Sequence, residues 1–204
     1  MIYLAPNDSA IGRDGFGLLV SLNSQRQLRG REWAMDNGRF GKHGVNKKWT
    51  DEKWIAMLEK YSGDSMTCRF CVVPDVPYDA RGTIALFSQY APIVKAHGYP
   101  VAFCTQDGMR VDDIPWPQID ALFIGGTDAH KLGLEAVDLL VEAKRRGKWT
   151  HVGRVNSPKR IEQFWYVDSV DGTTLARESS PRNVSNLAVG VSFCRAKKSQ
   201  EILL

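Results

Sequence analysis

Tyr166-Val-Asp-Ser-Val-Asp-Gly-Thr173, near the C-terminal end of the chain, alternates valines with acids and stops at a glycine. This pattern predicts a short buried strand that delivers a carboxylate, Asp171, to its C-terminal tip. Two acids in one buried strand are costly unless they are paired, solvated or put to use. Asp171 abuts Gly172 at the strand end, whereas Asp168, three residues earlier, is a secondary or structural candidate.

Working outward, the same signature recurs. Ile2–Ala5 and Gly17–Ser21 read as strands separated by a polar loop. Glu32–Gly38 reads as a strand ending in Asp36, Phe70–Asp75 as one ending in Asp75, and Val101–Gln106 as one ending in Gln106. Asp120–Gly126 ends in paired glycines, and Thr150–Val155 precedes the opening segment. Helical patterns lie between them. Thr50 caps a helix with Asp51 and Glu52 in its first turn and Ile55 and Leu58 turned inward. A second spans 79–97 with a bend at Pro92. Leu134, Val137, Leu140 and Val141 mark the buried face of a third, closed by Gly147. Ser157-Pro158 starts a fourth, and Ser180-Pro181 the last, with Val184, Leu187, Ala188 and Val191 on one face. Residues 197–204 read as a frayed basic tail.

Eight strand candidates, most of the later ones followed by a helix, indicate a parallel α/β sheet. Eight such units predict a compact (β/α)8 barrel of TIM type, a single domain over 1–204, with an open doubly wound sheet as the competitor. The polar strand ends favour the barrel. Asp36, Asp75, Gln106, Gly125-Gly126 and Asp171 all fall at C-terminal ends, which a barrel gathers around one pocket and an open sheet spreads along an edge.

The 204 residues are 43% hydrophobic and 25% charged, ordinary for one sizeable core. No apolar run approaches the ~20 residues of a membrane span, and no signal-peptide pattern opens the sequence. An intracellular, cytoplasmic protein with reduced cysteines and no membrane partner is therefore the expectation. The net charge of +4 is mildly basic, with clusters at Lys42 to Lys48, Lys144 to Lys148, Lys159-Arg160 and Arg195 to Lys198. These suit nucleic-acid phosphates and solvated surface equally.

Taken singly, each polar strand end has an ordinary explanation. Asp36-Asn-Gly is also turn chemistry, Asp75 follows a proline and can cap the next segment, and Gln106-Asp-Gly suits a turn. Gly125-Gly126 is too sparse for a dinucleotide fingerprint and no G-x-x-x-x-G-K-[ST] occurs, so no cofactor is expected. Cys68-x-x-Cys71 has metal-like spacing but no second pair, and zinc there would need Cys104 as a third ligand, so no metal is expected.

In chain order, Asp36-Asn-Gly-Arg-Phe40, Val73-Pro-Asp75, Gln106-Asp-Gly108, Ile124-Gly-Gly126, Val152-Gly-Arg-Val155 and Tyr166 to Asp171 resemble the motif series of tRNA-guanine transglycosylases. Trp33 to Gly38, Val72 to Asp75, Ile124 to Thr127, Gly147 to Ser157 and Asp168 to Thr173 are most similar to the short phage and bacterial members that act on DNA. Those exchange a guanine of DNA for a 7-deazaguanine such as the 7-cyano form, preQ0. The resemblance implies Asp171 as nucleophile and Asp36 as general base and acid. It implies Asp75 and Gln106 as readers of the base edge, with backbone groups from Gly125 and Gly126. Phe40, Phe70, Phe103 and Met109 are candidates for stacking on the base. In duplex DNA the target nucleotide must leave the stack, with Arg154, Lys159, Arg160 and the helix start at Ser157 as phosphate contacts.

One departure from the family bears on the substrate. The tRNA-acting members carry a zinc site of clustered cysteines and a histidine after the nucleophile; here only Cys194 follows Asp171, and no histidine follows His151. The missing zinc subdomain and RNA-binding domain shift the expected partner from tRNA to DNA, with helper proteins or an oligomer as further partners. Other readings stay open: tRNA as substrate, a non-catalytic nucleic-acid-binding subunit of a modification complex, or an unrelated barrel enzyme for sugar phosphates.

Overall fold

Eight strands close into a parallel barrel in the computed structural model, which describes residues 1–41 and 44–201. The chain runs through β1 (Ile2–Ala5), β2 (Phe16–Val20), β3 (Trp33–Met35), a small hairpin of β4 (Phe40–Gly41) and β5 (Gly44–Val45), and α1 (Asp51–Tyr61). It continues with β6 (Cys68–Val72), α2 (Ala80–Ala96), β7 (Val101–Thr105), β8 (Ala121–Ile124), α3 (Asp128–Leu132) and α4 (Leu134–Arg145). The last elements are β9 (Trp149–Val152), α5 (Pro158–Gln163), β10 (Ser169–Asp171), α6 (Thr174–Arg177) and α7 (Pro181–Glu201). Around the barrel the order is β1-β10-β9-β8-β7-β6-β3-β2, and β1 pairs with both β2 and β10, so the sheet has no edge. The fold is the predicted (β/α)8 barrel.

Strand side chains alternate between two faces, and this period divides the core. Leu4, Leu19, Ala34, Phe70, Ala102 and Ala121 fill the barrel interior. Tyr3, Leu18, Trp33, Phe103, Leu122 and Val170 point outward beneath the helices. The alanines make room for Phe70 in a narrow interior. The same period sends Asp36, two residues after Ala34, and Asp171, two after Ser169, into the barrel mouth.

Asp168 is odd in this register relative to Asp171 and faces the outer layer. The predicted strand from Tyr166 begins only at Ser169, and Tyr166 to Asp168 form the turn into it. There the Asp168 carboxylate accepts from Thr150 N at 2.9 Å, Thr150 Oγ1 at 2.8 Å and Lys144 Nζ at 2.6 Å. Burial opposes its ionisation, but Lys144, the Thr150 backbone and Lys198 outweigh burial and hold the carboxyl below its usual value. Asp168 is thus a structural ion-pair centre at the far end of the strand from the mouth, not a site residue.

Three helix expectations change. Thr50 caps α1 by accepting from Lys53 N, but the buried face is Trp54, Met57, Leu58 and Tyr61, with Ile55 only half-buried. In α4 the buried residues are Ala136, Leu139, Leu140 and Ala143, while Leu134, Val137 and Val141 are exposed. Ala136 and Ala143 let this helix lie close on β8 and β9, with Leu139 and Leu140 filling the space between them. Finally, α7 continues through 197–201 instead of fraying. Lys198 Nζ donates to Val167 O at 2.6 Å, and the Lys197 ammonium sits 4.1 Å from the Trp165 ring centroid. Residues 202–204, like Lys42 and His43 of the first basic cluster, lie outside the described residues. No α-helix covers the β1–β2 and β2–β3 connections; α7 packs on α5, α6 and the 3-10 turn Asp8–Ala10.

Cys68 and Cys71 belong to the outer layer while Cys104 faces the interior, so the three thiols cannot share a metal ion. Among the described residues no other group of three or more ligating side chains gathers either, and no helix is long and apolar enough to cross a membrane.

Replacing Asp168 with alanine is expected to lower stability by about 2–3 kcal/mol in denaturant titrations at neutral pH, since charge-assisted hydrogen bonds are lost and donors are left buried. Its folded-state carboxyl lies below the unfolded value, so the native contribution is present above the usual carboxylate range and fades below it. The gap between parent and variant should therefore shrink as pH falls through that range.

Candidate active site

The predicted polar strand ends open onto one cavity of about 170 Å³ at the C-terminal mouth of the barrel. Asp36, Asp75, Gln106, Gly125, Gly126, Arg154 and Asp171 all line it, together with Cys104, Phe123, Phe40 and Tyr78. A cavity of ~150 Å³ holds a molecule of benzene's size, so this one suits a flat ring system.

The three carboxylates differ in their surroundings. Asp75 is buried, and Oδ1 accepts from Asn37 Nδ2 at 2.8 Å and Oδ2 from Gln106 Nε2 at 2.7 Å. Burial pushes its carboxyl up, and the Asn37 and Cys104 hydrogen bonds oppose the rise. Asp171 Oδ1 lies 3.0 Å from His151 Nε2, within hydrogen-bond distance, and accepts from the Arg154 backbone N–H at 3.2 Å. Among the described residues no side chain donates to Asp36. Burial, then the charges of Asp171 and Asp75, raise its carboxyl to about 7, with the Asn37 and Gly38 backbone opposing. A carboxyl poised there exists as both acid and base at neutral pH, as proton transfer requires.

Gln106 differs from expectation. Its Oε1 accepts from Tyr78 N at 2.8 Å and its Nε2 is shared between Asp75 and Cys104 Sγ, the latter at 3.5 Å. Its hydrogen bonds are made within the protein, so it orients Asp75 instead of offering a free edge to a ligand.

The walls depend on close backbone approach. A Cβ on Gly153 would lie 2.7 Å from the Phe123 ring and 3.4 Å from Asp171 Oδ1. Gly126 has φ +67° and a Cβ there would lie 2.6 Å from Asp107 Oδ2. Arg154, itself at φ 60°, places its guanidinium 4.6 Å from the Phe40 centroid and donates to Gly126 O. It therefore builds the pocket wall rather than an outlying phosphate contact. Arg160 pairs with Asp128 at 2.8 Å, and Lys159 is exposed on α5. Helix α5 is only six residues long, and Ser157 Oγ accepts from Arg160 N.

Of the four stacking candidates, Phe40 alone lines the cavity; Phe70, Phe103 and Met109 are fully buried. Phe40 meets Tyr78 edge-on at 6.1 Å, and both rings are exposed at the mouth. Tyr78, Asn37 and His151 escape a reading of strand ends. The signal for His151 is its two-residue spacing from Trp149 and Gly153, which puts all three positions on the inward face.

Comparison with known proteins bears on the fold. No protein-family model matches the chain, and no curated protein does. Solved structures do. Tryptophan synthase from M. tuberculosis superposes with a TM-score of 0.54 at 12% identity, over 95% of this chain and 91% of that one. A structure described as native KDPGal gives 0.54 at 13% identity, over 98% and 95% of the two chains. The 3-keto-L-gulonate-6-phosphate decarboxylase from Vibrio cholerae O1 gives 0.52 at 11% identity, over 94% and 97%. The chain thus has the (β/α)8 architecture that enzymes of several chemistries share.

For Asp36 the folded value lies above the unfolded one, so the native state is disfavoured as pH rises from the ordinary carboxylate range to about 7. Asp36→Asn should therefore unfold at higher denaturant than the parent at pH 8, by about 1–3 kcal/mol, and no differently at pH 4. Chemical denaturation at the two pH values measures this.

Proposed function

We propose that this protein is a DNA guanine transglycosylase. It would exchange guanine in DNA for a 7-deazaguanine such as 7-cyano-7-deazaguanine through a covalent aspartyl-glycosyl intermediate. The observation that carries the reading is that one ring-sized cavity holds three carboxylates in three different electrostatic settings. The order of motifs along the chain agrees with it.

In the first half-reaction Asp171 attacks C1′ of the deoxyribose as the C1′–N9 bond breaks, its electron pair staying with N9. Protonated Asp36 supplies the proton to the departing guanine. A carboxylate suits this role because it stabilises the oxocarbenium-like transition state and then traps it. In the second half-reaction the ionised Asp36 takes the N9 proton of the incoming deazaguanine, whose N9 displaces Asp171 from C1′. Two inversions retain the configuration, and Asp36 ends as it began. The Asp75 carboxylate, held by Asn37 and Gln106, would use its remaining lone pairs to accept from amino and ring N–H donors common to both bases; an adenine, with no N1–H, would supply fewer of them. Phe40 and Tyr78 supply faces for the flipped base.

Charge argues against a sugar phosphate in this pocket. Three carboxylates at one small cavity repel a phosphate dianion, whereas they accept from a neutral purine-like base. A basic groove of about 450 Å³ lined by Lys48, Lys53 and Lys60 supports a polyanionic partner outside the pocket. Its edge is tied to the loop carrying Asp36 by Asn46 Nδ2, which donates to Gly38 O at 3.1 Å. The choice of DNA over tRNA rests on the resemblance to the short DNA-acting members.

The test is to incubate the protein with labelled 7-cyano-7-deazaguanine and either duplex DNA or tRNA. Label is expected in DNA; label in tRNA alone would replace the substrate, and label in neither would refute the activity. Asp171→Ala is expected to abolish exchange and covalent trapping while folding normally. Exchange by the parent should peak near pH 7, because Asp36 must serve as acid in one half-reaction and base in the other.

A further inference from the structure

We infer that His151 is a positioning residue for Asp171, held as the Nε2–H tautomer by a chain of buried hydrogen bonds inside the barrel. Its catalytic consequence rests on the transglycosylase reading; its geometry does not. Trp149 and His151 on β9, and Ser169 and Asp171 on β10, face the interior alternately along two paired strands. Trp149 Nε1 lies 2.8 Å from Ser169 Oγ, Ser169 Oγ lies 2.8 Å from His151 Nδ1, and His151 Nε2 lies 3.0 Å from Asp171 Oδ1.

The direction of this chain follows from its first member. An indole N–H only donates, so Ser169 Oγ accepts from Trp149, leaving the hydroxyl proton free to donate. Ser169 is fully buried, and Nδ1 of His151 is the one acceptor within its reach among the described residues. Nδ1 then presents its lone pair, and the ring proton sits on Nε2 and points at the carboxylate. The opposite tautomer would strand the serine proton and set a nitrogen lone pair against a carboxylate oxygen at 3.0 Å.

The ring has no freedom to turn. It is fully buried between Phe70 and Phe123, with ring centroids 5.0 and 4.4 Å away. Its donor and the Arg154 N–H both fall on Oδ1 of Asp171. That pins one carboxylate oxygen and leaves Oδ2 without a protein donor among the described residues. The geometry therefore assigns Oδ2 as the atom that attacks, with His151 fixing the rotamer that aims it.

A histidine that merely filled the core would not care which nitrogen is protonated. Nitrogen-15 NMR of the histidine-labelled protein at neutral pH should show a bare Nδ1 and a protonated Nε2 for His151. Ser169→Ala should shift that resonance toward a mixture of tautomers. A protonated Nδ1 in the parent overturns the inference. In DNA exchange, His151→Phe keeps a ring between Phe70 and Phe123 but removes the donor. It should lower kcat by about 100-fold with KM for the free base within about twofold, and His151→Gln, which restores an N–H, should recover about 10-fold. Unchanged kcat in His151→Phe, or equal loss in both variants, overturns the positioning role. If the parent shows no exchange, the functional reading fails and the ring-nitrogen shifts alone decide the tautomer.

Discussion

Three carboxylates share one half-buried cavity, and among the described residues side chains partner two of them. Asp75 has Asn37 and Gln106, and Asp171 has His151 with the Arg154 backbone, so both are held in fixed orientations. Among the described residues Asp36 has only backbone donors, and its neighbours' charges add to its burial. The imbalance separates the three groups. Those with side-chain donors are held in place, and the one without is the carboxyl raised to about 7. The difference follows from where the donors stand.

That arrangement rests in turn on the strand period. In a closed barrel of short strands, alternate residues point inward, and the last inward position of each strand reaches the mouth. Ala34 and Ser169 are followed two residues later by Asp36 and Asp171, so the interior that packs Phe70 ends in acids. The same arithmetic removes Asp168 from the site, since three residues is an odd step. It instead ties α4 and α7 to the far end of the barrel through Lys144 and Lys198. Asp168, just ahead of β10, thus serves stability, while Asp171 at the strand's end lines the cavity.

The pocket walls show how little room the design leaves. Gly153 and Gly126 stand where any Cβ would meet Phe123 or Asp107. Arg154 spends its backbone N–H on Asp171 and its guanidinium on Phe40 and Gly126. A residue that reads from sequence as a phosphate ligand is thereby built into the wall, because the turn that follows β9 passes beside Asp171.

What the sequence by itself determined is the barrel and the membership of its mouth. Apolar runs, their polar ends and the two-residue alternation are local properties, and they are legible without partners. Asp36, Asp75, Gln106, Gly125, Gly126 and Asp171 were all readable in this way. What only the tertiary structure decided is who satisfies whom. Gln106 turns to Asp75, 31 residues away, and His151 to Asp171, 20 residues away, across strands whose relative register no local pattern specifies. The buried face of α4 departs from its hydrophobic pattern for a related reason. Its burial is set by how closely it must approach β8 and β9, which favours Ala136 and Ala143 over the more hydrophobic Val137 and Val141. Hydrophobicity is written in the residue; clearance belongs to the packed layers.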